Sequence, residues 1–156
     1  MLTSTLLILA LSAISSALPT ALDKKDAACP TPKSFTVSRF SKFTPSGSNT
    51  HPAQVSFSYS DDGATVSLTS CLLTGATSTS GTPVVCANPD ISFLFEDNQL
   101  TVFENYTPCD STKKAQVQGT IYIATYCYPS PPQVPLGEGT SCQTPTGQVG
   151  GSLAAA

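Results

Sequence analysis

Apolar and polar residues alternate along several segments of this chain, and the alternation predicts β-strands. Val55, Phe57 and Tyr59 are separated by single serines, the period of two that is typical of a strand with one buried and one solvated face. Shorter runs rich in β-branched and aromatic residues predict further strands. The predicted strands lie at residues 34–40, 54–59, 64–69, 83–86, 91–95, 100–103 and 115–123.

Two connections between these strands have the sequence of hairpin turns. Because Asp-Gly supplies the positive φ that a tight turn needs, residues 61–63 predict that the chain folds straight back into a strand with Val66 and Leu68 on its inner face. Residues 96–99 predict a second hairpin. The predicted polar loops are residues 42–52 and 74–82.

The composition favours sheet over helix. The chain contains 42 serines and threonines and 13 prolines, and Ala, Leu, Glu and Lys do not dominate as they would in long helices. Some seven short strands with polar connections predict an all-β fold, either a compact antiparallel β-barrel or a β-sandwich of about seven or more strands. The sequence leaves the choice between these two architectures open.

The chain divides into four predicted segments. Residues 6–14 are apolar and precede the small residues 15–17, which is the layout of a secretory signal peptide over residues 1–17. A short linker follows at 18–28, in which Lys24-Lys25 is either a processing site or a solvated pair of charges. The β domain is predicted at 29–128, and a Pro-, Gly- and Ser-rich tail, extended or disordered, at 129–156. We therefore expect a secreted, extracellular protein.

Six cysteines fall within the predicted mature chain. An even number in a secreted domain predicts a disulfide framework, which permits fifteen connectivities. Cys71 with Cys86 is the best local candidate, because the two flank a loop that is too polar to pack. Closing a loop of that length stabilises the fold by roughly 3 kcal/mol. The six cysteines are residues 29, 71, 86, 109, 127 and 142.

The remaining four cysteines are assigned from strand direction. A bond from Cys109 to Cys127 would have to span a straight strand of about 30 Å, whereas the Cα atoms of bridged cysteines lie within about 7 Å. The sequence therefore argues against this pair. If the first and last predicted strands pair antiparallel, Cys29 meets Cys127, and Cys109 is left for Cys142. This pairing is a hypothesis about the sheet order.

The sequence contains no clear catalytic, metal or cofactor site. His51, the single histidine, lies in a predicted loop without a Gly-x-Ser-x-Gly elbow, and no Cys-x-x-Cys pair is present. Most carboxylates occur at predicted turns, where aspartate favours the local backbone. We therefore expect no enzyme activity. The carboxylates weighed as a glycosidase pair are Asp61, Asp62, Asp90, Glu96, Asp97 and Glu104.

Charge argues against a nucleic-acid partner. Only 11% of the residues are charged and the net charge is -3, whereas nucleic-acid-binding domains usually have a strongly basic balance. A small basic cluster is interpreted as solvated surface. We expect no membrane partner either. The cluster consists of Lys33, Arg39, Lys42, Lys113 and Lys114.

Two features on the later strands are candidates for surface chemistry. Asn105-Tyr106-Thr107 is an acceptor triplet for N-linked glycosylation at Asn105. Tyr106, Tyr122, Tyr126 and Tyr128 would form an aromatic contact surface or a ligand mouth if they were grouped at one end of the domain.

These segments resemble the Alternaria major-allergen family of secreted fungal proteins. The resemblance rests on Cys29-Pro30, the strand 35–40, the Val55/Phe57/Tyr59 alternation, the pair Cys71 and Cys86, and the strand at Ile91/Phe93/Phe95. It covers about residues 29–123. It implies a compact β-barrel without established enzyme activity, a bridge between Cys71 and Cys86, and a match of Cys29 to the cysteine that links two allergen subunits. Cys109, Cys127 and Cys142 depart from the family's pattern. The resemblance implies a covalent homodimer only if Cys29 is not bonded within its own chain.

The sequence and the resemblance together predict a secreted, non-catalytic, allergen- or elicitor-like fungal protein that acts by surface recognition at a host or cell-wall interface. Its partners would be plant extracellular defence proteins or cell-wall components. The first alternative is a barrel that carries a small apolar or phenolic ligand. The second, less favoured, is an unrecognised secreted hydrolase.

Overall fold

The computed structural model describes residues 31–63 and 66–156, and every regular element in these ranges is a β-strand. The all-β fold class is therefore confirmed. Within the same ranges no helix is long and apolar enough to span a bilayer. The strands are β1 (Ser34–Pro45), β2 (Gln54–Asp61), β3 (Thr69–Thr74), β4 (Val84–Val85), β5 (Ile91–Glu96), β6 (Gln99–Tyr106), β7 (Ala115–Tyr122), β8 (Tyr126–Ser130), β9 (Gly139–Gln143), β10 (Gln148–Ser152) and β11 (Ala154–Ala155).

The strands form two antiparallel sheets that do not close into one another. A six-stranded sheet has the order β3-β2-β1-β9-β8, and β10 pairs with β1 on the side of β9. A five-stranded sheet has the order β11-β7-β6-β5-β4. The chain passes from one sheet to the other at Leu153, a buried residue between β10 and β11.

The core lies between the two sheets and is built from the inward positions of the alternating segments. The ring of Phe57 on β2 meets the ring of Phe93 on β5 edge-on, with 4.9 Å between the centroids. Phe40 on β1 approaches Phe95 on β5 at 5.2 Å. Burying each such side chain contributes about 1.5–3 kcal/mol, and aromatic pairs at these separations add to that. Aromatic contacts within a shared apolar core therefore help to hold the two sheets together.

Strand β1 is longer than the sequence pattern predicts because a bulge resets its alternation. Its pairing with β2 shifts register between Ser38 and Ser41, and Arg39 adopts a φ of 55° there. The Arg39 amide donates to the Gly147 carbonyl at 3.0 Å, which fixes the bulge. Residues 42–45 continue as strand, so the loop predicted from residue 42 begins later.

The two predicted hairpins have different outcomes. The turn at 96–99 is confirmed: β5 pairs directly with β6, and Asp97 and Asn98 both have positive φ, as a tight two-residue turn requires. The immediate return after residues 61–63 is wrong, because β3 begins only at Thr69. Leu68, predicted to face inward, is exposed, whereas Thr69 is buried.

Residues 129–156 are folded, so the prediction of an extended or disordered tail over this segment is wrong. The end of β8 and the whole of β9, β10 and β11 lie in this segment, and β9 and β10 both pair with β1. The many proline, glycine and serine residues indicated disorder from composition alone. The prolines are confined to the connections and the sheet edge, which leaves short strands between them.

Two disulfide bridges join described residues. Cys71 on β3 bonds Cys86, the pair singled out from the sequence, and Cys127 on β8 bonds Cys142 on β9. Cys109 is also disulfide-bonded. The predicted pairs Cys29 with Cys127 and Cys109 with Cys142 are therefore wrong.

The wrong pairs follow from the assumed sheet order. Strands β1 and β7, the first and last of the sequence prediction, lie in different sheets, and β1 is flanked by β2, β9 and β10. The chain turns back after β7 to place β8 beside β9. The predicted signal peptide at 1–17, the linker at 18–28 with Lys24-Lys25, and Cys29 lie outside the described residues.

Candidate interaction surface

The outward side of the six-stranded sheet carries two complete rows of paired residues. Residues directly opposite each other on antiparallel strands project from the same side of the sheet. The strand registers therefore define two neighbouring rows that cross β3, β2, β1, β9 and β8, and we call these ten residues the tyrosine face. The first row is Leu72, Ser56, Ser41, Gln143 and Tyr126; the second is Thr74, Gln54, Phe43, Ser141 and Tyr128.

The tyrosine face contains no charged side chain. Eight of the ten positions are serine, threonine, glutamine or tyrosine. Leu72 is 52% exposed, Tyr126 51% and Tyr128 36%. The two tyrosine rings lie side by side, with centroids 5.9 Å apart. The surface therefore offers neutral hydrogen-bonding groups, with a pair of aromatic rings at one edge and a leucine at the other.

The centre of the tyrosine face is closely packed rather than hollow. Phe43 and Ser141 are buried although they belong to the outward rows. The Phe43 ring passes over Gly139, where an added Cβ would lie 2.7 Å from the ring and would also collide with the Thr44 carbonyl oxygen. The absence of a side chain at Gly139 therefore leaves the space that the Phe43 ring occupies. The middle of the face is a tightly packed platform.

The proline-rich connection between β8 and β9 borders the face and forms a groove with it. The groove has a volume of about 270 Å³, and its floor includes Tyr128, Ser141 and Gln143. Its wall includes Val134 and Leu136. A mainly apolar wall beside a neutral polar floor suits a partner with both kinds of surface.

Hydrogen bonds fix this proline-rich connection in place. The Asn49 side-chain amide donates to the carbonyl oxygens of Leu136 at 2.8 Å and Glu138 at 2.6 Å. The Ser130 hydroxyl donates to the Gly137 carbonyl oxygen at 2.9 Å. The wall of the groove is therefore supported by the loop after β1 and by the end of β8.

Arg39 stands beside the tyrosine face at the bulge in β1. It lines two shallow clefts: one of about 280 Å³ with Gln143, and one of about 330 Å³ with Leu72. The side chain is exposed. It places one positive charge next to an otherwise neutral surface.

The structure brings together two of the four tyrosines proposed as a contact surface. Tyr126 and Tyr128 are neighbours on β8, as described above. Tyr122 is 64% exposed but lies on β7 in the other sheet, and Tyr106 is partly buried against the core at the opposite end of β6. Leu72 was not predicted, although its place after Cys71 in an alternating segment could have indicated an outward position.

His51 lies in an open cleft, in the loop that leads into β2. The cleft, of about 330 Å³, is also lined by Ser48 and Glu138. The His51 ring forms no hydrogen bond with any residue of the described ranges, and only its backbone amide is engaged, donating to Asn49 at 2.9 Å. A nucleophile or base would need the ring oriented by such a bond.

The candidate glycosidase carboxylates have structural partners and do not line the clefts of the tyrosine face. Asp62 accepts bonds from the amides of Lys33 and Ser34 at 2.9 and 3.0 Å, and these bonds lower its pKa below the ordinary value. In the same way, Asp61 accepts from the Val66 amide, Glu96 from the Gly81 amide, Asp90 pairs with Lys114, and Asp97 forms the β5–β6 turn.

Glu104 is the exception, because it is fully buried between the sheets. The Tyr59 hydroxyl on β2 donates to its carboxylate at 2.5 Å, which links one sheet to the other. Burial, and next the contact with Glu104, raise the pKa of Tyr59 far above its ordinary value. Neither side chain is exposed, so this pair has no access to a substrate in this structure and acts as a tie within the core.

The basic residues predicted as a cluster are spread over the molecule. Lys114 pairs with Asp90, Lys33 precedes β1 beside Asp62, and Arg39 lies at the bulge. Lys33, Arg39 and Lys42 lie on or beside β1 and Lys113 and Lys114 precede β7, and these two strands belong to different sheets. No group of three or more His, Cys, Asp or Glu side chains suited to a metal ion occurs within the described ranges.

Asn105 is accessible for modification. It lies near the end of β6, is partly exposed, and accepts a bond from the Gln116 side chain at 3.1 Å. Because a glycan would be attached to the side-chain nitrogen, that bond to the oxygen does not block it. Glycosylation of Asn105 remains a prediction.

Two solved structures are similar to this fold. A crystal structure of the Alternaria alternata allergen Alt a 1 aligns with a TM-score of 0.57 at 15% identity, covering 78% of this chain and 88% of that chain. Another, of the Alternaria alternata major allergen Alt a 1, aligns with a TM-score of 0.56 at 14% identity, covering 79% and 94%. No protein-family model and no curated protein sequence matches the chain. The family resemblance is thus confirmed as a shared fold.

Proposed function

We propose that this chain is a secreted, non-catalytic fungal protein that acts by surface recognition at a host or cell-wall interface, and that the tyrosine face is its contact surface. The observation that carries the proposal is the placement of exposed large apolar and aromatic side chains. Of the seven in the described ranges, Leu72, Tyr126 and Tyr128 lie on the tyrosine face, and Val134 lies on the wall of its groove.

The chemistry of the face supports recognition. Tyrosine supplies a large, rigid contact area at low entropic cost, and serine and glutamine supply adaptable hydrogen bonds, as in antibody paratopes. The packed Phe43 platform and the fixed groove wall reduce the ordering that a partner would have to impose. The surface is therefore well organised before it binds.

Secretion is supported by the sulfur chemistry and by the fold. The described cysteines are all disulfide-bonded, which is typical of oxidising compartments, and the N-terminal pattern predicts a secretion signal. The similarity in fold to an allergen of a fungus points in the same direction. A non-catalytic role is supported by the unoriented His51 ring and by the structural engagement of the candidate carboxylates.

The test compares substitutions on the two sheets. A Tyr126→Ser/Tyr128→Ser variant removes the aromatic pair, and Tyr122→Ser removes a tyrosine of the other sheet that is more exposed than either of them. Each protein is immobilised and incubated with plant extracellular fluid and with isolated plant cell walls. We expect the double variant to retain at least tenfold less of the bound material than wild type, and Tyr122→Ser to match wild type. Equal retention by all three proteins would contradict the proposal.

The groove beside Tyr128 favours a second candidate, a carrier of a small apolar or phenolic ligand. Its volume of about 270 Å³ and its apolar wall suit such a molecule. Calorimetric titration with simple phenols tests this role. Binding that is lost in Val134→Ser and Tyr128→Ser, while macromolecular partners are still retained, would favour the carrier.

A further inference from the structure

The two described disulfide bridges differ in how far a reagent can approach them. Cys71 and Cys86 are both buried, at 1% and 8% exposure. Cys127 is exposed, and only its partner Cys142 is buried. Because thiol–disulfide exchange begins with the approach of a thiolate to one sulfur, access to at least one cysteine is a condition for reaction.

The surroundings of Cys127 are also easier to displace. Strand β8 lies at the edge of the six-stranded sheet and pairs only with β9. Four of its five residues are exposed, so little apolar burial holds it down. Local opening of such a segment costs much less than opening of the core. The Cys71 strand, in contrast, contributes its cysteine to the core between the sheets.

We propose that the Cys127–Cys142 bridge is a site of thiol–disulfide exchange that reacts with extracellular low-molecular-weight thiols while Cys71–Cys86 stays oxidised. A thiolate of the reagent attacks the Cys127 sulfur, forms a mixed disulfide and releases Cys142 as a thiolate, which takes up a proton. A second reagent thiol then displaces Cys127. One protein disulfide becomes two thiols, and two reagent thiols become one reagent disulfide.

The exchange site is coupled to the tyrosine face by position. Tyr126 and Tyr128 flank Cys127 on β8, and Cys127 lies directly opposite Cys142 in the β8–β9 register. Reduction leaves β8 attached by its ladder hydrogen bonds and by the bond from Ser130 at its end, and it loosens the two rings. This consequence, unlike the exchange itself, rests on the proposed function.

The primary test uses the wild-type protein in its native state. The protein is titrated with dithiothreitol, free thiols are trapped by alkylation, and each cysteine is quantified by peptide mapping. We expect Cys127 and Cys142 to be half-reduced at a thiol concentration at least tenfold below that needed for Cys71 and Cys86. Reduction of Cys71 and Cys86 first, or of both pairs together, would overturn the proposal. The same map follows Cys109 independently.

A second measurement follows the strand itself. Hydrogen exchange at residues 126–130 is expected to accelerate at least tenfold after mild reduction, while exchange in β2 and β5 stays unchanged. A Cys127→Ser/Cys142→Ser variant should show the fast exchange without any reagent and no further change with it. Unchanged exchange in residues 126–130 after reduction would refute the loosening of β8.

Partner retention separates this inference from the proposed function. If mild reduction lowers retention of partners as far as Tyr126→Ser/Tyr128→Ser does, both hold. If the bridge is selectively reduced and β8 loosens but retention does not change, the exchange site stands and its coupling to the tyrosine face is wrong; the contact surface itself is contradicted only if Tyr126→Ser/Tyr128→Ser also leaves retention unchanged.

Discussion

The two described disulfide bridges have the same spacing along the sequence but lie in different parts of the structure. Each joins cysteines 15 residues apart, so the chain-entropy model assigns both about 3 kcal/mol. Cys71–Cys86 connects β3 of one sheet to the residue that follows β4 of the other and lies in the core. Cys127–Cys142 connects two neighbouring strands at the edge of a single sheet. The length of the closed loop therefore sets how much conformational entropy a bridge removes from the unfolded chain. The location of the bridge decides how much the folded structure is disturbed when the bridge is lost.

The largest expected effect comes from the bridge between the sheets. We expect Cys71→Ser/Cys86→Ser to lower the free energy of unfolding by about 4–5 kcal/mol, because it combines the lost loop constraint with two buried hydroxyl groups. Urea denaturation of the variant and the wild type measures the difference. A loss of only about 3 kcal/mol, the loop constraint alone, would show that location adds nothing to loop length.

The edge bridge should cost less. We expect Cys127→Ser/Cys142→Ser to lower the free energy of unfolding by about 3–4 kcal/mol, because the loop constraint is lost and only the hydroxyl at 142 is buried, while the one at 127 stays in water. The same denaturation experiment gives this value. If it exceeded that of the core variant, the ranking of the two bridges would be reversed.

The Tyr59–Glu104 hydrogen bond also links the two sheets. Removing it tests whether a link without sulfur contributes as much to stability as a disulfide bridge does. Tyr59→Phe removes a donor from the buried carboxylate, and we expect a loss of about 2 kcal/mol at neutral pH. The measurement is the free energy of unfolding in urea. No loss would show that the hydrogen bond is balanced by the cost of burying it.

The same pair predicts a pH dependence. The pKa of Tyr59 is raised in the folded protein, so above the ordinary value of 10.0 the unfolded chain loses this proton while the folded chain keeps it. Stability present below pH 10 is therefore lost as pH rises, by up to about 1.4 kcal/mol per pH unit from this group. Tyr59→Phe should remove that part of the slope, and an identical slope in the variant would contradict the assignment.

The smallest expected effect concerns the platform near the edge bridge. Gly139→Ala places a methyl group against the Phe43 ring and the Thr44 carbonyl oxygen, and we expect a loss of about 1–2 kcal/mol. Gly150→Ala is the matched control, because its nearest contact is a single backbone oxygen at 3.3 Å. Thermal unfolding of both variants would show equal shifts if the crowding at 139 were not the cause.

The sequence predicted the elements with regular alternation and local turn chemistry. The strand at 115–123 and the hairpin around Asp97 could be predicted because side-chain period and turn geometry are local properties. The extended return after Asp62 could not, because burial of Val66 and Thr69 depends on contacts distant in sequence. The same holds for 129–156, where pairing with β1 overrides a composition typical of disorder.

The candidate site was only partly predictable. Tyr126 and Tyr128 could be proposed because they are aromatic and two residues apart. Their alignment with Ser41 and Leu72 depends on the order of five strands, and the strand predicted beside β1 belongs to the other sheet. The bridge between Cys127 and Cys142 was missed for the same reason.

The crossing at Leu153 has a consequence for biosynthesis. The segment 148–155 supplies β10 to one sheet and β11 to the other, and it is the last part of either sheet to leave the ribosome. Because both sheets depend on the same short segment for a strand, neither sheet can be completed much before the other as the chain emerges.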